Sequence, residues 1–409
     1  MRTMMPPRLV IFGLVFLSRV SLSLGETTTT RFAPNAAFVS KVSPGNVEYV
    51  SLKVSEDCGD KLWGDWRSKF ASKTHAIHSY DSHENPREAL SVIDEAFCFV
   101  MQFLPPSLVS KLHQFAFDSQ APCALVIKGL PLLDRSEIPP TPALETIFNP
   151  TRQVRCPAAE TILLGISRLC GMPHAPPIPR HAQLVRDIVP TQSETRGFLP
   201  MHRDYAQQVS PKTWEPELLL LLCVRKGSPE AVAETVVVDN YRLYQSTSEA
   251  DRQLLRTYRI QKKRENDDGT IVNAGQPFYA IQDNEDGTYD LETSCVTVYN
   301  LLPTFDRCDD AQGDAELEQR VLAAYERLSR NAQVLGERVS LEPGDILILN
   351  NSRCVHGRTP YQPRLDGTDR WLIKTYVSNG FWTKPSCGNQ MDKEAPPAYP
   401  RLGFPASYY

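Results

Sequence analysis

The sequence predicts an α+β fold in which helices pack on one side of a β-sandwich or barrel-like roll. Three observations lead there. Helical periodicity dominates the chain up to about residue 171, short extended runs follow from about residue 180, and turn residues rather than long linkers separate those runs. A chain of 409 residues that is 41% hydrophobic and 22% charged has enough apolar material for one large core.

The elements are justified in chain order. Arg2 and Arg8 precede the apolar run "LVIFGLVFL" and small residues follow up to Gly25, so residues 1–25 read as a secretory signal peptide. Its apolar core is short for a membrane span, so no stable membrane insertion is expected after its removal. A two-part, plastid-type organelle address is the alternative, because "ETTTTRFAPNAAFVSKVS" is rich in Thr and Ser and poor in acid. Residues 26–85 form an N-terminal extension, of which 26–55 read as a weakly structured entry. Residues 86–116 carry helical spacing broken at Pro105–Pro106, which predicts two helices. "CALVIKGLPL" (123–132) is a β-like run, and "PAAETILLGISRLCG" is an amphipathic helix that stops at Gly171.

From residue 180 the period becomes extended: "AQLVRDIVP", "ELLLLLCVR" and "ETVVVDN" read as strands. "TSEADRQLLRTYR" opens with a capping residue before a helix, and Asp268–Gly269 and Asp286–Gly287 are hairpin signals. Residues 314–330 form a helix with Leu317, Val321, Leu322, Tyr325 and Leu328 along one stripe. "ERVSLEPGDILILNN" and "RWLIKTYVSN" read as strands around a polar segment that contains His356.

The net charge of −4 has no basic block or acidic tail behind it, which excludes a nucleic-acid footprint and a polybasic membrane patch. Ten cysteines are an even number, suited to an oxidising compartment; none forms a CxxC pair, so no structural zinc cluster is indicated. Cys223, inside a leucine run, reads as a buried thiol, and the disulfide pairing stays open.

Chemistry concentrates at "LPMHRDY" (199–205). In an extended segment residues i and i+2 share a side, so His202 and Asp204 face one cavity and Arg203 faces away. Two ligands hold a metal weakly. His356, in "NNSRCVHGRTPY", is the candidate third, completing a two-histidine, one-carboxylate face that leaves octahedral iron(II) open positions. Residue 370 lies 14 positions beyond 356 through a turn at Asp366–Gly367, enough chain to return antiparallel and bring Arg370 near the metal. A guanidinium there pairs bidentately with a carboxylate, so the pattern suits a 2-oxo dicarboxylic acid.

"HGRTPYQPRLDGTDRWL", with "LPMHRDYA" and the strands "ELLLLLCVR" and "ETVVVD", resembles the clavaminate synthase-like branch of the taurine dioxygenase superfamily over residues 160–380. That branch includes hydroxylases of free asparagine and arginine. The resemblance implies a double-stranded β-helix (jelly-roll) core over about residues 180–380, inside an oxygenase domain of 86–385 with a C-terminal tail of 386–409. It implies His202, Asp204 and His356 as iron(II) ligands, Arg370 and Thr235 as contacts of the co-substrate 2-oxoglutarate, and O2 as oxidant. Gln183 matches a position where the family meets substrate. The implied reaction oxidises an unactivated C–H bond of a free amino acid or derivative, releasing succinate and CO2. Oxidative cyclisation or desaturation, as in the similar kainoid-forming cyclases, is the alternative within the same chemistry. The resemblance departs in two places, since amino-acid hydroxylases of this branch often carry Glu where Asp204 stands, and the soluble bacterial members lack such an N-terminal address.

Other readings compete. A zinc hydrolase uses two His and one Asp with an activated water but has no use for Arg370; a non-catalytic jelly-roll module needs none of these residues. Arg358 and Arg364 flank His356 and compete with Arg370. Asp306 to Asp310 either meet a substrate amine or form a solvated loop, and Tyr205 and Trp214 either wall the pocket or fill core. His75 and His78, three apart with no carboxylate motif, read as ordinary surface residues. The partner expected is a small, amino-acid-like molecule, with the oligomeric state open.

Overall fold

The computed structural model describes residues 38–52, 63, 64, 66, 86–132, 138–143, 156–175, 183–190, 199–204, 216–228, 232–261, 263–265, 270–273, 277–284, 287–291, 294–298 and 314–379. The signal segment, His75, His78, Tyr205, Trp214, Asp268–Gly269, Asp286, Asp306 to Asp310 and the C-terminal tail lie outside them.

The first half contains strands β1 (Phe38–Val42) and β2 (Val47–Leu52), helices α1 (Pro86–Val100) and α2 (Pro106–Phe117), β3 (Ala124–Lys128) and α3 (Pro157–Cys170). Next come β4 (Met172–His174), β5 (Arg186–Ile188), β6 (Leu199–His202), β7 (Leu218–Arg225) and β8 (Thr235–Asp239). Helices α4 (Asn240–Gln245) and α5 (Glu249–Thr257) lead to four short strands, β9 (Lys263–Glu265), β10 (Ile271–Asn273), β11 (Ile281–Gln282) and β12 (Cys295–Val296). The chain then runs through α6 (Ala315–Leu335), β13 (Glu337–Val339), β14 (Ile346–Asn350), β15 (Cys354–Arg358) and β16 (Trp371–Ser378).

Two sheets organise these elements. The larger has eight strands in the order β1-β2-β3-β14-β7-β16-β4, with β5 also pairing β16, and is antiparallel except where β2 runs parallel to β3. The smaller has four, in the order β13-β8-β15-β6. Side-chain alternation explains the layers. Leu220, Leu222, Ile346, Ile348, Trp371 and Ile373 pack with α1, α2 and α3 into one core. Their neighbours Leu219, Leu221, Leu347, Leu349, Leu372 and Tyr376 point to the other face and meet Val237 and Cys354 of the smaller sheet. Behind the smaller sheet, Met201, Val238 and Val355 pack on Val321, Tyr325 and Leu328 of α6. Because β7 is apolar on both faces, it reads as an unbroken leucine run.

Local chemistry sets the ends. Pro106 begins α2 and Ser248 caps α5 by accepting from the Asp251 amide. In the turn before β14, Gly344 has φ +93 and a Cβ there would lie 2.4 Å from the Leu130 carbonyl oxygen, so only glycine fits.

Two expectations are corrected. Residues 38–52 are not a weakly structured entry: "FVSKV" and "VEYVSL" form β1 and β2, antiparallel across a turn in which Asn46 takes φ 64. His356 lies inside strand β15, not in a polar segment between strands. Helix α6 also runs on to Leu335. Cys98, Cys123, Cys156, Cys170, Cys223 and Cys354 are free thiols, all but Cys98 buried, while Cys295 is disulfide-bonded. No helix among the described residues is long and apolar enough to cross a membrane.

Candidate active site

Antiparallel register builds the centre of the site. His356 of β15 stands directly opposite His202 of β6, and their ring centroids are 4.5 Å apart. Between His356 and Arg358 the register shifts, and a Cβ on Gly357 would meet the Leu199 carbonyl oxygen at 2.6 Å; glycine lets the two strands close around the histidine pair. Nδ1 of His202 lies 2.8 Å from the Pro200 carbonyl oxygen, to which it can only donate, which leaves Nε2 as the atom with a lone pair.

Asp204 lies beyond the end of β6, so the extended segment supplies only His202. Asn351 holds it instead. The Asn351 side chain accepts from the Asp204 amide at 3.1 Å and donates to the Asp204 carbonyl at 2.9 Å and to the Pro216 carbonyl at 3.1 Å. Arg203 turns away from the cavity as expected, but it is buried, donating through Nε to the Asn351 carbonyl at 2.8 Å. Asp204 Oδ1 then stands 3.5 Å from His202 Nε2.

One ligand atom from each of His202, Asp204 and His356 lies within 4.8 Å of the others. Three donors about 2.1 Å from a shared ion sit roughly 3–4 Å apart, so small side-chain adjustments close this set on a metal. The donors fit a divalent cation electrostatically. Burial, and then the neighbouring His202, push the His356 imidazole down to about 3, so it is neutral and available as a ligand at ordinary pH. Burial raises Asp204, yet the Lys374 ammonium and the His202 contact outweigh it and hold the carboxyl well below its usual range. His356 Nδ1 is buried without a hydrogen-bond partner among the described residues, the kind of orphan a protein keeps at a ligand site.

A second group stands along the same interior. Arg370, at the head of β16, donates from Nη2 to Thr235 Oγ1 of β8 at 3.0 Å, and both are buried. Burial pushes the Arg370 guanidinium down to about 10, still charged at neutral pH. Thr235 pairs with Arg358 while Val237 pairs with His356, which puts Thr235 roughly 7 Å along the sheet from the histidine. Of the competing arginines, Arg364 is exposed. Arg358 is buried, with its guanidinium 4.8 Å from the Tyr361 ring centroid. Gln183 is half-buried beside β16, next to Leu184, whose carbonyl accepts from Thr375 Oγ1 at 2.7 Å.

The sequence reading missed Asn351, Lys374 and Tyr376. Lys374 and Tyr376 both reach Asp204 Oδ2, at 3.1 and 2.9 Å. Their signal was the alternation of β16, which puts 370, 372, 374 and 376 on one face and so places a lysine inward beside an established arginine. Asn351 carried no comparable signal, since an Asn in a tight connection is ordinary turn chemistry.

The comparisons with known proteins agree with this geometry. The chain is 27% identical to an L-asparagine oxygenase of Streptomyces coelicolor over 67% of its own length and 76% of that protein's. It is 28% identical to clavaminate synthase 2 of Streptomyces clavuligerus over 72% and 86% of the two chains. A crystal structure of asparagine oxygenase in complex with Fe(II), 2S,3S-3-hydroxyasparagine and succinate shares the fold, with a TM-score of 0.58 at 20% identity over 80% of this chain and 93% of that one. Residues 167–376, from within α3 to near the end of β16, match the pattern of one family, and by that match this chain belongs to the taurine catabolism dioxygenase TauD, TfdA family.

Proposed function

We propose that the chain is an iron(II)- and 2-oxoglutarate-dependent oxygenase that oxidises an unactivated C–H bond of a free amino acid or amino-acid derivative, with 2-oxoglutarate decarboxylated to succinate and CO2. The single observation that carries the reading is spatial: a two-histidine, one-carboxylate cluster and a buried Arg–Thr pair line one interior between the two sheets. His202, Asp204 and His356 would hold the iron, which would supply oxygen activation when bound. Arg370 and Thr235 offer fixed donors to the far carboxylate of 2-oxoglutarate. The two sheets read as the two walls of a jelly-roll. Leu347, Leu349 and Leu372 pack into the apolar layer between them. Gln183 is assigned to a polar group of the substrate. An asparagine oxygenase among the relatives supports an amino-acid substrate.

The test is succinate release from purified protein given iron(II), 2-oxoglutarate and a panel of amino acids. We expect turnover with at least one of them and none in His202→Ala; activity that survives that substitution removes the metal assignment. Turnover without 2-oxoglutarate replaces the reading by hydrolysis. Product mass separates hydroxylation, a gain of one oxygen, from cyclisation or desaturation, a loss of two hydrogens.

A further inference from the structure

The three ligands are positioned by different means. His202 and His356 inherit their placement from paired strands, whereas Asp204 lies off the end of β6 with no ladder partner to orient its side chain. A free carboxylate at that position rotates about χ2 and can offer a cation one oxygen or two. Here Oδ1 stands toward His202 at 3.5 Å, and Oδ2 is taken up by Lys374 Nζ at 3.1 Å and the Tyr376 hydroxyl at 2.9 Å. Lys374 and Tyr376 come from the opposite sheet, two residues apart on the inward face of β16, with the ammonium 5.0 Å from the tyrosine ring centroid. Asn351 fixes the Asp204 backbone from the other side. Two donors on one carboxylate oxygen, the Tyr376 hydroxyl buried and the Lys374 ammonium partly so, form an orienting clamp.

We propose that Lys374 and Tyr376 are positioning residues that reserve Asp204 Oδ2, so that Asp204 binds the metal through Oδ1 alone and the cation keeps its remaining positions for co-substrate. The inference rests on the reading of His202, Asp204 and His356 as metal ligands. Tyr376 acts through a hydrogen bond without altering charge. Lys374 also repels the cation, so its contribution to affinity is partly offset and its orienting role is read from coordination number instead.

The experiment uses the full chain without oxygen or turnover. Mn(II) affinity is followed by the loss of the free-ion paramagnetic signal, and Co(II) coordination by visible absorption, whose intensity falls as coordination number rises. Tyr376→Phe is expected to weaken Mn(II) binding about 10-fold, at the low end of what outer partners of metal ligands contribute. In both Tyr376→Phe and Lys374→Gln the Co(II) bands should weaken and shift as Asp204 swings to two-oxygen binding, while Lys374→Arg, which keeps a donor there, retains the wild-type spectrum. An unchanged Co(II) spectrum in either variant overturns the assignment for that residue. An unchanged spectrum in Lys374→Gln together with weaker amino-acid binding to the Co(II)-loaded protein overturns it for Lys374 in particular and places that ammonium on substrate. Should a variant fail to fold, the Lys374→Arg and Tyr376→Phe pair decides alone, since both keep the bulk of the side chain. Failure of the underlying metal reading is a separate result: wild type and His202→Ala would then bind Mn(II) equally poorly.

Discussion

In the eight-stranded sheet β7 and β14 present apolar side chains to both faces, whereas the inward face of the four-stranded sheet carries Thr235, His356 and Arg358. The first sheet is stabilised from both sides. The second is stabilised chiefly from behind, where Val238 and Val355 pack on Tyr325 and Leu328 of α6. Burying one Leu or Val contributes about 1.5–3 kcal/mol, while a buried imidazole nitrogen with no partner costs about 1–3 kcal/mol, so the His356 Nδ1 offsets roughly one outward apolar residue. Stability and chemistry are thus divided between two walls of one interior. Strand β16 serves both: its outward residues join the helix-covered core and its inward ones reach Thr235 and Asp204 of the opposite wall.

The division predicts a double dissociation, and that is its strongest test. His202→Ala should weaken Mn(II) binding by more than about 100-fold, beyond the range of outer partners, while leaving the urea-unfolding midpoint of the metal-free protein nearly where it was. Leu222→Ala in β7 should do the reverse, costing about 2–5 kcal/mol of stability from a fully buried position with metal affinity unchanged in the folded fraction. Equal losses of stability in both variants would mean that the two walls are one cooperative support with no division of labour.

The same contrast explains what was legible in the sequence. The central strands of the larger sheet announce themselves because both faces are apolar or alternate cleanly; β7, β14 and β16 are legible within a few residues of their bounds. β15 was not, because in "CVHGR" three functional or small positions replace the apolar beats that mark a strand. The three metal-ligand candidates were legible from residue type, Arg370 from its spacing beyond His356 and Thr235 through the family resemblance, and the structure brings each set together. The clamp on Asp204 was hidden since it joins residues 204, 351, 374 and 376 through a turn and a sheet crossing, a contact that no local spacing encodes. The hairpin at 38–52 was hidden by its neighbours, a Thr- and Ser-rich segment that set the expectation for the whole entry.

Arg370 tests the strand that serves both walls. Arg370→Lys keeps the charge but loses the planar fork and, with a shorter reach, the contact to Thr235 Oγ1. The expected loss is about 1.5–3 kcal/mol of 2-oxoglutarate binding, or roughly 10- to 150-fold in its KM, with Mn(II) affinity unaffected. Thr235→Val should raise the same KM by about 5-fold, the value of one neutral hydrogen bond. A fall in metal affinity in Arg370→Lys would instead show that the anchor and the metal cluster are mechanically coupled through β16.

The smallest effect is the most diagnostic of how the metal wall is maintained without its ion. His356 is pushed down to about 3 by burial from an ordinary value of 6.5, and the sign of its linkage follows. Above pH 6.5 the imidazole is neutral in both folded and unfolded chains and contributes no pH dependence. As pH falls from 6.5 toward about 3, the unfolded chain takes up a proton that the folded chain refuses, so the metal-free protein loses stability at up to about 1.4 kcal/mol per pH unit. Buried His174, pushed down to about 4, adds a parallel slope, while Asp204, held well below 3.8, loses its contribution only at more acidic pH. Between pH 6 and pH 5, chemical unfolding of metal-free wild type against His356→Gln therefore isolates one imidazole. The variant should lose about 1 kcal/mol less than wild type over that unit. Identical slopes would mean that His356 is already protonated in the folded protein, and that the wall carries a charge which its geometry is arranged to exclude.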